Sequence, residues 1–226
     1  MNRHADVQLP EQAASGRADE VRPGETAAAT GRSDKGERTR NRILAHAREV
    51  LVHHGFEAVV LRQIAADLDI RIGNLQYYFP TRHDLVVAAI SAEIDADLAT
   101  FDEHDDDDPV QALAAVARAF MKRWRSDAGV VLLVMQYLRT HDAEVAAICR
   151  DVYRAFYGRI EALVAEITPG QSSAHYAFQA RLITASIDGA SMQVEVGDRQ
   201  AFEDAVVDIV LSIARRTAAP DRAHRR

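Results

Sequence analysis

Residues 71–80 read RIGNLQYYFP and crowd hydrogen-bonding groups onto a few positions. Asn74 and Gln76 carry amides, which can bond an adenine edge through two hydrogen bonds. Arg71 carries a guanidinium, which can do the same to guanine. Tyr77 and Tyr78 stand side by side and suit packing, a ligand surface or a tip that touches DNA. Gly73 would let a helix N-terminus, with its unpaired N–H groups, come close to a phosphate.

A polar tip needs rigid elements behind it, and the pattern on both sides is helical. Ile43, Ala47, Val50 and His54 form one stripe, flanked by Leu44 and Leu51, and Gly55 stops it as a residue just past a helix end. Leu61, Ile64, Ala65 and Leu68 mark a short second helix, followed by a turn at Asp69 and Ile70. A third helix over 71–78 carries the polar tip and ends at Phe79-Pro80. Thr81 caps a fourth helix with Asp84 in its first turn, where an acid suits the helix dipole. That helix carries Leu85, Ile90, Ile94 and Leu98 and reaches residue 101. This is a three-helix unit with a short turn between its second and third members, the spacing of a helix-turn-helix.

The rest of the chain is also helical. The acidic run DEHDDDDP at 102–109 lacks the ligand spacing and the Gly turn of a Ca²⁺ loop and reads as a solvated connector. Helical spacing resumes at Val110, Leu113, Ala117, Phe120, Met121 and Trp124. An apolar helix over 130–138 follows, then a long stripe from Val145 to Ile167, closed by Pro169-Gly170. The next helix is apolar on two faces, one through Tyr176, Ala180, Ile183 and Ile187, the other through Leu182, Ala185, Gly189 and Met192, so it is covered on two sides. The last helix holds Phe202, Val206, Ile209 and Ile213. No strand-like alternation, repeat or nucleotide-binding Gly motif occurs. The fold class is all-α.

Composition narrows the function. The chain has 226 residues, one cysteine (Cys149) and a net charge of −7. No intrachain disulfide is possible, no apolar run approaches the ~18 residues of a membrane span, and the N-terminus has no signal-peptide core. A cytoplasmic protein is expected. Residues 37–85 carry 7 basic against 6 acidic side chains, and residues 86–226 carry 15 against 22. An anion-binding surface therefore belongs on the first folded segment. No nucleophile–base pair or metal-ligand spacing points to an enzyme, so no catalytic residue, cofactor or metal is assigned. Residues 1–36, almost without large apolar side chains, read as a disordered tail, and 219–226 as a frayed basic one.

The stretch 39–86, TRNRILAHAREVLVHHGFEAVVLRQIAADLDIRIGNLQYYFPTRHDLV, resembles the DNA-binding domain of the TetR family of bacterial repressors. The marks that carry the likeness are Ile43-Leu44, Gly55-Phe56, Ile64-Ala65, Gly73, Leu75, Tyr77, Phe79, Arg82 and Asp84-Leu85. The resemblance implies operator DNA as a partner, touched by Arg62, Asn74, Gln76, Tyr77, Tyr78 and Arg82. Arg62 would read a base, and a tyrosine and Arg82 would bond phosphate. The chain departs from the family pattern in four places. Val59 and Val60 replace a capping hydroxyl, Asp69 replaces the turn Gly, Arg71 replaces the Ser or Thr that opens the third helix, and Ile72 replaces a frequent Lys. Arg71 thereby becomes a further candidate DNA contact.

The resemblance further implies a domain division of 37–85 for DNA and 86–218 for ligand binding and dimerisation. The expected interface of a homodimer holds Ile187, Ala190, Ser191, Val194, Phe202, Val206, Ile209 and Ile213. The expected pocket for a small-molecule effector holds Phe120, Trp124, Met135, Gln136, Tyr137, Tyr153, Phe156, Phe178, Gln179 and Asp188. The leading reading is a ligand-released repressor. A helical small-molecule-binding module that has lost DNA recognition is the alternative, and a helical enzyme is a weaker one.

Overall fold

Caps and turn residues set the helix boundaries. The computed structural model describes residues 23–193 and 197–217, with side chains from residue 35 onward, and within them are nine α-helices and no strand. They are α1 (Pro23–His54), α2 (Leu61–Asp67), α3 (Ile72–Tyr78), α4 (Arg82–Glu103), α5 (Pro109–Trp124), α6 (Asp127–Leu138), α7 (Ala143–Ile167), α8 (Ser173–Ser191) and α9 (Arg199–Ala214). Thr81 opens α4 with a reciprocal cap: its hydroxyl accepts from the Asp84 N–H, and the Asp84 carboxylate accepts from the Thr81 N–H at 2.8 Å. The Thr81 hydroxyl, which also donates to the Asp84 carboxylate at 2.7 Å, and then the Thr81 N–H hold that carboxyl below the ordinary carboxylate value. Asp108, Ser126, Asp142, Ser172 and Asp198 cap α5 to α9 with side-chain oxygens.

The expected disordered tail is corrected over part of its length. From Pro23 the segment is helical and belongs to α1. The segment has no apolar stripe, so pattern reading missed it. Its Ala, Glu, Arg and Lys residues are good helix formers, and Pro23 suits a first helical position. Residues 1–22 and the basic tail lie outside the described residues, as does Val194.

Two apolar cores organise the unit from Arg40 on. The first joins Ile43, Leu51, Ile64, Leu75, Leu85 and Ile90 to Val131, Leu132, Met135 and Val145. The second holds Phe101, Leu113, Phe120, Ile160, Ile183 and Val210. Each fully buried Leu or Ile contributes roughly 1.5–3 kcal/mol. Helix α4 crosses from the first core, through Leu85 and Ile94, to the second at Phe101. Helix α6, although it follows α5 in the chain, packs into the core that holds α3.

Candidate nucleic-acid interface and ligand cavity

The presented face of α3 is built by two anchors. Leu75 is fully buried and Phe79 is 2% exposed, and both sit in the first core. With those two fixed, the helix phase turns Asn74, Gln76 and Tyr77 outward, and Tyr77 is 81% exposed. Tyr78 is half-buried against the core and meets the Tyr77 ring edge-on at 5.1 Å. Arg71 is exposed in extended conformation as the residue preceding α3, and its carbonyl accepts from the Asn74 and Leu75 N–H groups. Arg62 is exposed on α2. A Cβ added at Gly73 would meet nothing within the chain, so the fold itself does not require glycine there.

Arg82 is placed differently from the expectation. Its guanidinium lies over the Phe56 ring at 4.0 Å, bonds the Phe56 carbonyl oxygen and reaches Glu57 at 3.3 Å. It ties the start of α4 to the turn after α1. The two family departures in the turn region have visible consequences. Val60 precedes α2 with no side-chain cap, while Val59 is buried in the core. Asp69 sits at φ 52°, the left-handed region that disfavours side chains other than Asn and Asp.

The second site lies between α4, α5, α6, α7 and α8. Phe120, Trp124, Met135, Gln136, Tyr153, Phe156 and Asp188 line one cavity of about 50 Å³. Asp97, Leu132, Val152 and Thr184 complete it; sequence reading missed these four, since nothing local marks them as facing a void. Gln136 donates to the Tyr153 hydroxyl at 3.0 Å, and that hydroxyl donates to Asp188 at 3.2 Å. Burial pushes the Asp188 carboxyl up to about 6. Burial, with the Asp188 charge beside it, pushes the Tyr153 phenol up to about 12. Asp97 is also raised by burial, although Arg123 holds it.

Three expected lining residues lie elsewhere. Tyr137 and Phe178 point to solvent, 62% and 60% exposed. Tyr137 lies two residues past the buried Met135 and Phe178 one residue before the buried Gln179, and a helix turns by about 100° per residue. Gln179 is buried, but its amide donates to the Ile213 carbonyl at 2.6 Å and the Arg216 carbonyl at 3.0 Å, finishing the end of α9.

Residues 43–89 match the family model for bacterial regulatory proteins, tetR family. That segment carries the TetR-family N-terminal domain. No curated protein matches its sequence. Its fold is shared with a transcriptional regulator from Rhodococcus sp. Rha1 (21% identity, TM-score 0.65), over 77% of this chain and 95% of that one. A TetR transcription regulator from Haloarcula marismortui aligns at TM-score 0.66 and 16% identity, over 79% of this chain and 97% of that one. AibR, in complex with isovaleryl coenzyme A and operator DNA, aligns at TM-score 0.58 and 15% identity, over 76% and 97%.

Most of the residues expected at a dimer interface face inward instead. Ile187, Val206 and Ile213 are buried in the chain's own second core, and the buried Ser191 hydroxyl donates to the Ile187 carbonyl. Ala190 and Phe202 are half-buried against the same core. Ile209 is 53% exposed on α9, and Phe178 is exposed on the packed neighbour α8. Of the two apolar faces of α8, the one through Ile183 and Ile187 is inside. The outer one runs through Phe178, Leu182, Ala185 and Gly189.

Proposed function

We propose that the protein is a cytoplasmic, dimeric, sequence-specific repressor that a small-molecule effector releases from its operator. The observation that carries the reading is α3: a seven-residue helix held by Leu75 and Phe79 that leaves Asn74, Gln76 and Tyr77 in solvent. Amides and Arg71 at such a tip suit base edges, and Tyr77 suits phosphate. Dimerisation through the outer face of α8 with Ile209 of α9 would cover the exposed Phe178 and the half-buried Leu182. It would also pair two reading heads on one palindrome.

Helix α6 supplies the coupling. Leu132 and Met135 belong both to the cavity wall and to the core that holds α3. A chain of ion pairs runs parallel to it, from Arg48 on α1 to Glu93, from Glu93 to Arg123 at 3.2 Å, and from Arg123 to Asp97 in the cavity wall. An effector that favours a different α6 position shifts the heads by its differential affinity for the two states. AibR, which shares the fold, is a precedent for one chain holding both kinds of partner.

The test is binding to DNA upstream of the protein's own gene, across a salt series, for wild type and Gln76→Ala/Tyr77→Ala. The double variant is expected to lose about tenfold or more in affinity and to show a shallower salt slope. Binding unchanged by the substitutions and insensitive to salt rejects α3 as the reading face.

A further inference from the structure

Asp188 is a carboxylate without a cationic partner in a protein that otherwise pairs its buried acids. Glu93 and Asp97 are both held by arginines. Asp188 receives only the Tyr153 hydroxyl, and no arginine or lysine among the described residues pairs with it. Ionising it there is unfavourable, as its displacement to about 6 records. The same cavity is walled by Phe120, Trp124, Tyr153 and Phe156. Aromatic walls with an unpaired carboxylate are the surroundings that attract an organic ammonium group. The volume of about 50 Å³ holds roughly four water-sized groups, the size of a small alkylammonium head.

Adjoining the cavity is a groove of about 830 Å³ that shares Gln136, Tyr153, Thr184 and Asp188 with it. The groove has the opposite charge. Arg139, Arg150, Arg154 and Arg181 line it, in a chain whose net charge is −7. Arg154 pairs with Asp151, and Arg181 lies over the Tyr157 ring. Arg139 and Arg150 pair with no acidic group among the described residues. Helix geometry sets the spacing: Arg139 follows Gln136 by one turn, Arg150 precedes Tyr153 by one turn, and Arg181 precedes Asp188 by two. The basic ring therefore lies about 5–10 Å along the helices from the acidic end.

We propose that the effector is an organic zwitterion, its ammonium end in the aromatic cavity at Asp188 and its anionic end, about 5–10 Å away, at the groove arginines. This rests on the reading of the cavity as the effector site. A cation alone would have to pass the arginines, and an anion alone would leave Asp188 unpaired. A dipolar ligand satisfies both.

The test is calorimetric titration of the full-length, DNA-free protein with three probes of one shape. These are 4-(trimethylammonio)butanoate, its carbon isostere 5,5-dimethylhexanoate, which lacks the cation, and butyltrimethylammonium, which lacks the anion. Wild type is expected to bind the zwitterion about tenfold or more tighter than either analogue. In Asp188→Asn the advantage over 5,5-dimethylhexanoate disappears, and in Arg139→Ala/Arg150→Ala the advantage over butyltrimethylammonium disappears. Thermal melting confirms that both variants fold. Equal wild-type affinity for the zwitterion and either analogue overturns the proposal, as does no binding of any probe or an unchanged pattern in both variants. The titration contains no DNA, so its failure leaves the test of the α3 reading face independent. Failure of that test likewise leaves this one standing.

Discussion

The reading face of α3 and the cavity beneath α6 use polar groups in opposite ways. On α3, Asn74, Gln76 and Tyr77 stand in water and depend on nothing but the two buried anchors beside them. In the cavity, Tyr153 and Asp188 are displaced from their ordinary ionisation by burial and are held by one short hydrogen-bond chain. A surface that meets a large polyanion keeps its donors hydrated until contact. A pocket that must distinguish small molecules removes water first, so that one unpaired charge discriminates strongly. Exposed polar groups on α3 and buried ones in the cavity thus make separate demands on stability, and α6 packs against both the cavity and the core that holds α3.

The largest expected effect is on that connection. Gly129 lies in the first turn of α6, and a Cβ there would overlap the Trp124 carbonyl oxygen, which is backbone and cannot swing away. Gly129→Ala should lower the free energy of unfolding by roughly 3 kcal/mol or more, read by urea denaturation. A loss below about 1 kcal/mol would mean the α5–α6 turn is softer than its packing implies.

Next comes the cavity itself. Asp188 holds its proton more tightly folded than unfolded, so its contribution is favourable at low pH and lost as pH rises from 3.8 through about 6. Asp188→Asn should therefore stabilise the protein at about pH 7.5, by at most roughly 3 kcal/mol, with the gain vanishing near pH 4. Thermal melts of both proteins across that range check the sign. A destabilised variant at neutral pH would show that the carboxylate is compensated in the folded chain.

On the reading unit the effects are smaller. Val60 has extended backbone, is half exposed and caps nothing. Val60→Thr should add about 1 kcal/mol by supplying an acceptor to the free N–H groups of α2. The smallest effect belongs to His83, at the start of α4, which bonds Glu144 at 2.9 Å and Asp142 at 3.2 Å near the start of α7. Glu144, more than any other group, raises its pKa above 6.5. Its contribution is complete below that value and fades as pH rises through the higher folded value. His83→Gln should flatten part of the stability loss above neutrality, and His46, raised by Asp67, retains another part.

The reading unit was largely legible because its signals are local. Gly55 after one stripe, the Thr81–Asp84 cap and the Leu75–Phe79 spacing each lie within a few residues of what they determine. The cavity was legible only in part. Seven residues chosen for their type do line it, yet Asp97 and Thr184 come from helices far apart in sequence and carry no local mark. The setting of Arg82 was not legible for a related reason: nothing near it in sequence marks Phe56 as the ring beneath it.

Helix type, helix order and the polar tip of α3 follow from the order of residues alone, because periodicity and capping act over one or two turns. Which apolar face of α8 turns inward does not. Ile187 and Phe178 are equally apolar on paper, and only the packing of α8 against α7 and α9 buries the first and exposes the second. The same holds for Asp188, whose ionisation depends on what several other helices leave around it.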